Sequence, residues 1–231
     1  SHEDVAAPDD PGAVPRGEDV RGPDGMSAFY IPSQEASGVE EWGAATAGWG
    51  AQVAARTCIA AARLVLPIWE HGSRLGAGEG ALEGPARGTP EPRRAIEAAE
   101  AWVLEPSPAH RAATQVARDA LGVVLERTQY PWAHAALYAA DHAARVDPPA
   151  DDPWAHPTER GLRSAAESRT YDLIRRADER PSAANWDRHF VIAALELRAA
   201  IRADLVPWVL LEGDPLRERV AKWHGSSQRG G

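Results

Sequence analysis

The chain has 231 residues, 44% of them hydrophobic, a formal charge of −9 and one cysteine, which is enough length and apolar surface for one large domain or two small ones. Cys58 has no mate for an intramolecular disulfide, so the framework owes nothing to an oxidising compartment and the cytoplasm is the expected location. Nor does the charge describe a nucleic-acid footprint: the first 40 residues hold nine acids against two bases and the remainder 25 against 23, leaving most of the chain near neutral.

Ala dominates the apolar residues while Val, Ile, Thr and Phe are scarce, a balance that favours helices over strands. The expected fold is all-α, a bundle of seven or eight helices with no strand. Residues 1–38 mix Pro, Gly, Asp and Glu with few apolar side chains, so they cannot offset their ordering entropy and predict a disordered acidic arm. Within it, Phe29 to Pro32 suits an extended strap against the core. From Val39 to about residue 70 the apolar spacing predicts one long helix, bent near Gly48 or Gly50, whose apolar faces include Trp42, Trp49, Ile59 and Trp69. Its apolar stretch is interrupted by Arg56 and Arg63, so no membrane span is read from it, and the first 25 residues show no apolar signal segment.

A Gly-rich connector follows to about Pro90; it lacks the Gly-Lys-Ser/Thr ending and the preceding strand of a phosphate cradle. Pro92 opens a helix to Glu105, Pro108 a third to about Thr128 with Val116, Ala120, Val123 and Val124 as its stripe, and Pro131 a fourth to Val146. The Pro- and Asp-rich stretch 147–157 suggests a boundary between an Ala-rich subdomain, residues 39–147, and a C-terminal one, 148–224, packed on it. Thr158 then begins a helix to about Arg180, and Ser182 caps another from Ala183 to Asp204 with a stripe that includes Trp186, Phe190, Ile192, Leu195, Leu197 and Ile201. A short helical piece lies between Pro207 and Gly213, a last helix runs from Asp214-Pro215 to about Trp223, and residues 225–231 form a loose tail.

Chemistry-bearing residues are sparse in pattern. His134, Tyr138, Asp141 and His142 share a helical face, but the two His stand eight apart, about 12 Å along the axis, too far for one ion without other helices. Glu97 and Glu100 fit a solvated helix side beside Arg93 and Arg94, and Asp151-Asp152 is loop composition. Cys58, among small apolar residues on a buried helix, behaves as a small hydrophobe. No catalytic centre, metal or cofactor is therefore expected. The nine Trp fit core anchors first and binding hot spots second; Trp132 and Trp154, each next to a proline, occupy positions that tend to be partly exposed.

The run Cys58-Ile-Ala-Ala-Ala-Arg-Leu-Val-Leu-Pro67-Ile-Trp-Glu70, followed by Pro92-Arg93-Arg94-Ala-Ile96-Glu97-Ala-Ala-Glu-Ala-Trp102-Val103, resembles a helical family of immunity proteins from bacterial polymorphic-toxin systems. Tyr130 to Arg145 looks like its last part. The resemblance spans roughly residues 52–145; the long Gly-rich insertion and the acidic arm depart from it, and residues 150–224 have no counterpart. It implies stoichiometric binding of a cognate toxin, without assigning any residue to the contact. Trp132 and Trp154, from their places beside prolines, and Arg93 and Glu97, from the matched block, stand as candidate partner-binding residues, although Arg93 and Glu97 also fit an ordinary intrahelical pair. Two other classes compete: a helical adaptor of a conflict or signalling complex recruited through its arm, and a metal-dependent bundle enzyme using His134, His142 and a Glu from another helix.

Overall fold

The computed structural model describes residues 20–21, 27–29, 38–71, 88–128, 131–146, 157–210 and 213–227. They form eight helices: α1 Gly38–Ala47, α2 Ala51–His71, α3 Glu91–Leu104, α4 Pro108–Glu126, α5 Pro131–Ala143, α6 Pro157–Arg176, α7 Ala183–Leu210 and α8 Pro215–Ser227. The one departure from all-α among them is a minimal antiparallel pair, β1 Val20–Arg21 with β2 Ser27–Phe29, where the sequence predicted no strand. The rest of the predicted arm and of its strap, most of the Gly-rich connector and the stretch 147–156 lie outside the described residues.

Local chemistry sets most of the helix ends. Ser107 caps α4, its hydroxyl accepting from the His110 N–H, and Ser182 caps α7 by accepting from the Asn185 N–H. Asp214 does the same for α8 through Arg217. Several boundaries differ from the sequence reading, among them the end of α6, at Arg176 instead of about Arg180. The single helix expected over 39–70 is two, because Gly50 takes φ +105°, a left-handed conformation that ends α1 and lets α2 start in a new direction; Trp49, at that corner, is 65% exposed rather than in a shared apolar face. Conversely, the helix expected to end at Asp204 continues to Leu210 with Pro207 inside it, absorbing the predicted short piece. The tail begins later than expected, since α8 runs through 225–227.

Helix α2 is the hub, packing on α1, α3, α5, α6 and α7, while α6 packs on α1, α2, α5 and α7; α4 lies at one edge against α3 and α5, and α8 at another against α3 and α7. By length and mean hydropathy, 1.3, α2 meets the description of a membrane-crossing helix, but it is mostly enclosed by its neighbours. Its polar residues are consumed there: Arg56, 1% exposed, holds Asp204 of α7 and Asp214 at 2.9 Å each, with its guanidinium carbon 4.1 Å from the Trp208 ring centre. One connected apolar core extends from Val39 of α1 to Val220 of α8, so the boundary drawn near residue 147 does not divide the packing. α6, at the centre of the bundle, is nonetheless polar: Thr158, Ser168, Thr170 and Asp172 are buried beside Leu162, Ala165 and Ala166. Asp172 is satisfied from its own helix by Arg169, Arg175 and Arg176 at 2.6–2.7 Å.

The apolar stripes read from the sequence are also reassigned. On α7 the buried face is Ala193, Ala194, Leu197, Ile201 and Leu205, whereas Ile192 and Leu195 are 40% and 53% exposed. On α4 the core face is Leu121 and Val124, while Val116 and Val123 are 70% and 48% exposed.

Candidate functional site

Arg93 and Glu97, one helical turn apart on α3, stand 3.9 Å from each other in an ion-pair line that crosses α2, α3 and α8. Arg93 grips Glu70 of α2 through two bonds of 2.8 Å. Deeper in, Arg63 of α2 forks onto Glu100 at 2.8 and 2.7 Å, and Arg219 of α8 reaches the same carboxylate at 3.0 Å. Glu100 is fully enclosed and Glu97 is 9% exposed, so the pair is not the solvated helix side that the sequence predicted. Burial raises the pKa of Glu97, and the positive charges of Arg63 and Arg93 only partly oppose it. The line therefore ties three helices together, with Arg93 as its outer end.

Cys58 of α2, His142 of α5 and Thr158 and Gly161 of α6 meet where three helices come closest. A Cβ placed on Gly161 would stand 3.0 Å from His142 Cβ and 3.3 Å from Cys58 Sγ, so glycine is what allows the approach. That both residues flank one glycine of α6 is not legible in the sequence, where 84 positions separate them. Its electrostatics oppose nucleophilic use. Burial pushes the Cys58 thiol up to about 12, against a hydrogen bond with the Thr158 side chain that works to lower it. Burial likewise takes His142 down to about 4, although the Asp141 carboxylate pulls the other way. Each of the two is thus buried in its neutral form, whereas a Cys–His nucleophile needs the thiolate.

The face of α5 that carries His134, Tyr138 and His142 is a ladder of rings, His134 edge-on to Tyr138 at 4.6 Å and Tyr138 stacked on His142 at 6.2 Å. Asp141 is bonded by Arg118 at 3.1 Å and Arg145 at 2.8 Å. Among the described residues no three His, Cys, Asp or Glu are grouped to hold a metal ion.

Trp132 is half-buried at the start of α5, packed on the core edge with Arg175 5.7 Å over its ring, and its carbonyl accepts from Ser168. Trp154 lies outside the described residues. Of the four partner-binding candidates, the structure brings Arg93 and Glu97 together and gives Trp132 partners of its own.

A surface that the sequence reading missed is the outer side of α4. Ala109, Ala112, Ala113, Val116, Ala120 and Val123 are all exposed and, at 100° per residue, fall in one sector roughly 100° wide that contains no polar side chain between Ala109 and Val123. The sector is about 21 Å long at 1.5 Å per residue. It adjoins the face buried against α3 and α5, so the apolar arc of α4 is about twice as wide as the bundle covers. The signal was present as the stripe of valines; reading all of it as core concealed it. No protein-family model matches the chain, and no curated protein or solved structure matches it either.

Proposed function

We propose that this chain is a non-catalytic protein-binding domain of the immunity type, which holds a cognate bacterial toxin in the cytoplasm of the producing cell through the outer face of α4. The observation that carries the binding reading is the uncovered apolar sector from Ala109 to Val123, with Val116 70% exposed: contiguous apolar surface of this kind on a folded domain marks an interaction site. Four alanines keep the ridge low, so a partner helix or strand can come close to the α4 backbone. Two further features support it. Burial holds Cys58 as the thiol and His142 as the neutral ring, and the carboxylates Glu70, Glu100, Asp141 and Asp172 are engaged by arginines of the chain itself. The toxin as partner rests on the resemblance of residues 52–145 to immunity proteins.

Co-expression with toxins encoded beside the gene tests both layers. Binding of one such toxin at one-to-one stoichiometry, with protection of the host cell, is the expected result, and Val116→Glu or Ala120→Glu abolishes both while leaving helical content intact. Protection that survives these substitutions removes α4 as the contact; failure to bind any neighbouring toxin removes the immunity reading.

A further inference from the structure

The outer face of α7 carries a second uncovered pattern, different in kind from that of α4. Ile192, Leu195, Ala199, Arg202, Val206 and Val209 follow one another at spacings of three, four, three, four and three, the heptad seam of helices that pack side by side. Ile192, Leu195 and Val209 are 40%, 53% and 60% exposed; Ala199 and Arg202 are exposed and Val206 half-buried. The opposite face of the same helix is already spent on the core. Over 17 residues, about 26 Å, a strict 3.5-residue period drifts by about 50° from the 3.6 of a straight helix, so the seam stays on one half of α7; Pro207 lies inside the helix between Val206 and Val209, so a bend there falls at the end of the seam.

We propose that this seam pairs with that of a second copy of the chain, antiparallel across a two-fold axis. The sequence of the seam is complementary to its own reverse. Run antiparallel, Ile192 meets Val209 of the second copy, Leu195 meets Val206, and Arg202 meets Ala199, the smallest residue of the set, which leaves room for the guanidinium stem. Arg202 then points along the second copy toward its Glu196, a half-buried carboxylate on the flank of the seam that is bonded by Arg169 at 2.6 and 3.1 Å. A parallel pairing instead sets Arg202 against Arg202, like charges that disfavour it. The antiparallel arrangement uses the same patch on both copies and closes at two, as an isologous interface must. Two such seams, with the exposed Leu210 at each end, bury on the order of 1,000 Å², the threshold for a specific interface.

Sedimentation equilibrium of the full chain from about 1 to about 100 μM reads the association directly. The expected result is a reversible dimer, at least ten-fold weakened by Leu195→Glu, which buries a charge, and by Arg202→Glu, which faces Glu196 with its own sign. Both sites are on the surface, so far-UV helicity is expected to stay unchanged, and either variant alone suffices. Orientation is read by mixing Ile192→Cys with Val209→Cys chains: a disulfide forms between them and not between two Ile192→Cys chains, and the enclosed Cys58 does not compete. A chain that is monomeric throughout the range, a dimer indifferent to both charge variants, an Ile192→Cys chain that cross-links to itself, or a monomer whose seam instead binds a different protein overturns the proposal.

Discussion

Arg56 shows how a single side chain joins elements far apart in the sequence. Its guanidinium satisfies one carboxylate on α7 and the capping carboxylate of α8 while stacking over Trp208. Burial by itself would raise the pKa of Asp214, but hydrogen bonds from Arg56 and the Arg217 backbone outweigh it and hold it below the usual carboxylate range. Removing the cation leaves Asp204 buried and unpaired, while Asp214 keeps Arg217, so Arg56→Met is expected to cost about 3–5 kcal/mol, read as a lower urea midpoint; adding Asp204→Leu recovers part of it, since the pair shares one environment. His142 gives a pH signature. Its pKa is about 4 in the fold against 6.5 for the free side chain, so below pH 6.5 the unfolded chain takes up a proton that the fold refuses. Stability is therefore complete above pH 6.5 and is lost as the pH falls toward about 4. At 1.4 kcal/mol per pH unit, roughly 3 kcal/mol disappears across that window, and a urea titration repeated through it should show the loss in the wild type and not in His142→Gln. None of these partners was visible from local spacing. Glu100 reads as a surface acid beside Glu97 because its cations come from 37 positions before it and 119 after it.

Helices were far more legible than their contacts, for a physical reason: caps and prolines act within a few residues, and packing does not. Pro108, Pro131, Ser182 and Asp214 each mark a start that the structure retains. The errors fall where a local signal was weighed against the wrong competitor. Gly50 broke a helix expected to bend, and Pro207 sits inside one expected to stop. On α4 and α7, two apolar faces were merged into one, since periodicity shows which residues share a side and not whether that side is covered. Helix spacing also rests on residues that carry no pattern. At Gly43 a Cβ would lie 2.9 Å from the Glu159 Cα, and backbone cannot step aside as a side-chain tip can. Gly161→Ala is thus expected to lower stability by about 1–3 kcal/mol, with Gly43→Ala the costlier of the two; paired thermal melts give the ranking, and equal or inverted costs would contradict the close-approach account.

For the whole molecule, the question is whether residues 39–147 and 148–224 are separable. The core joins α2 to α6 and α7 and reaches Val220, and the ion pairs Arg56–Asp214 and Arg219–Glu100 cross between the two stretches. A single cooperative transition is expected, with tryptophan fluorescence and far-UV ellipticity coinciding in denaturant; two resolved transitions would instead support the two packed subdomains suggested by the Pro-rich stretch. The fold class was readable because composition alone carries it, whereas the sharing of one core by both stretches depends on which faces meet.

The polarity of α6 bears on the order in which the bundle is made. A helix that buries Thr158, Ser168, Thr170 and Asp172 beside Leu162, Ala165, Ala166 and Ile174 has a mixed face with modest drive to collapse by itself, and helices in proteins owe most of their stability to tertiary packing. It acquires its shape from the slot that α1, α2 and α5 leave for it. A ribosome delivers that slot first, open and lined with small apolar residues, and for as long as α6 is still in the exit tunnel the nascent chain presents its future interior to the cell.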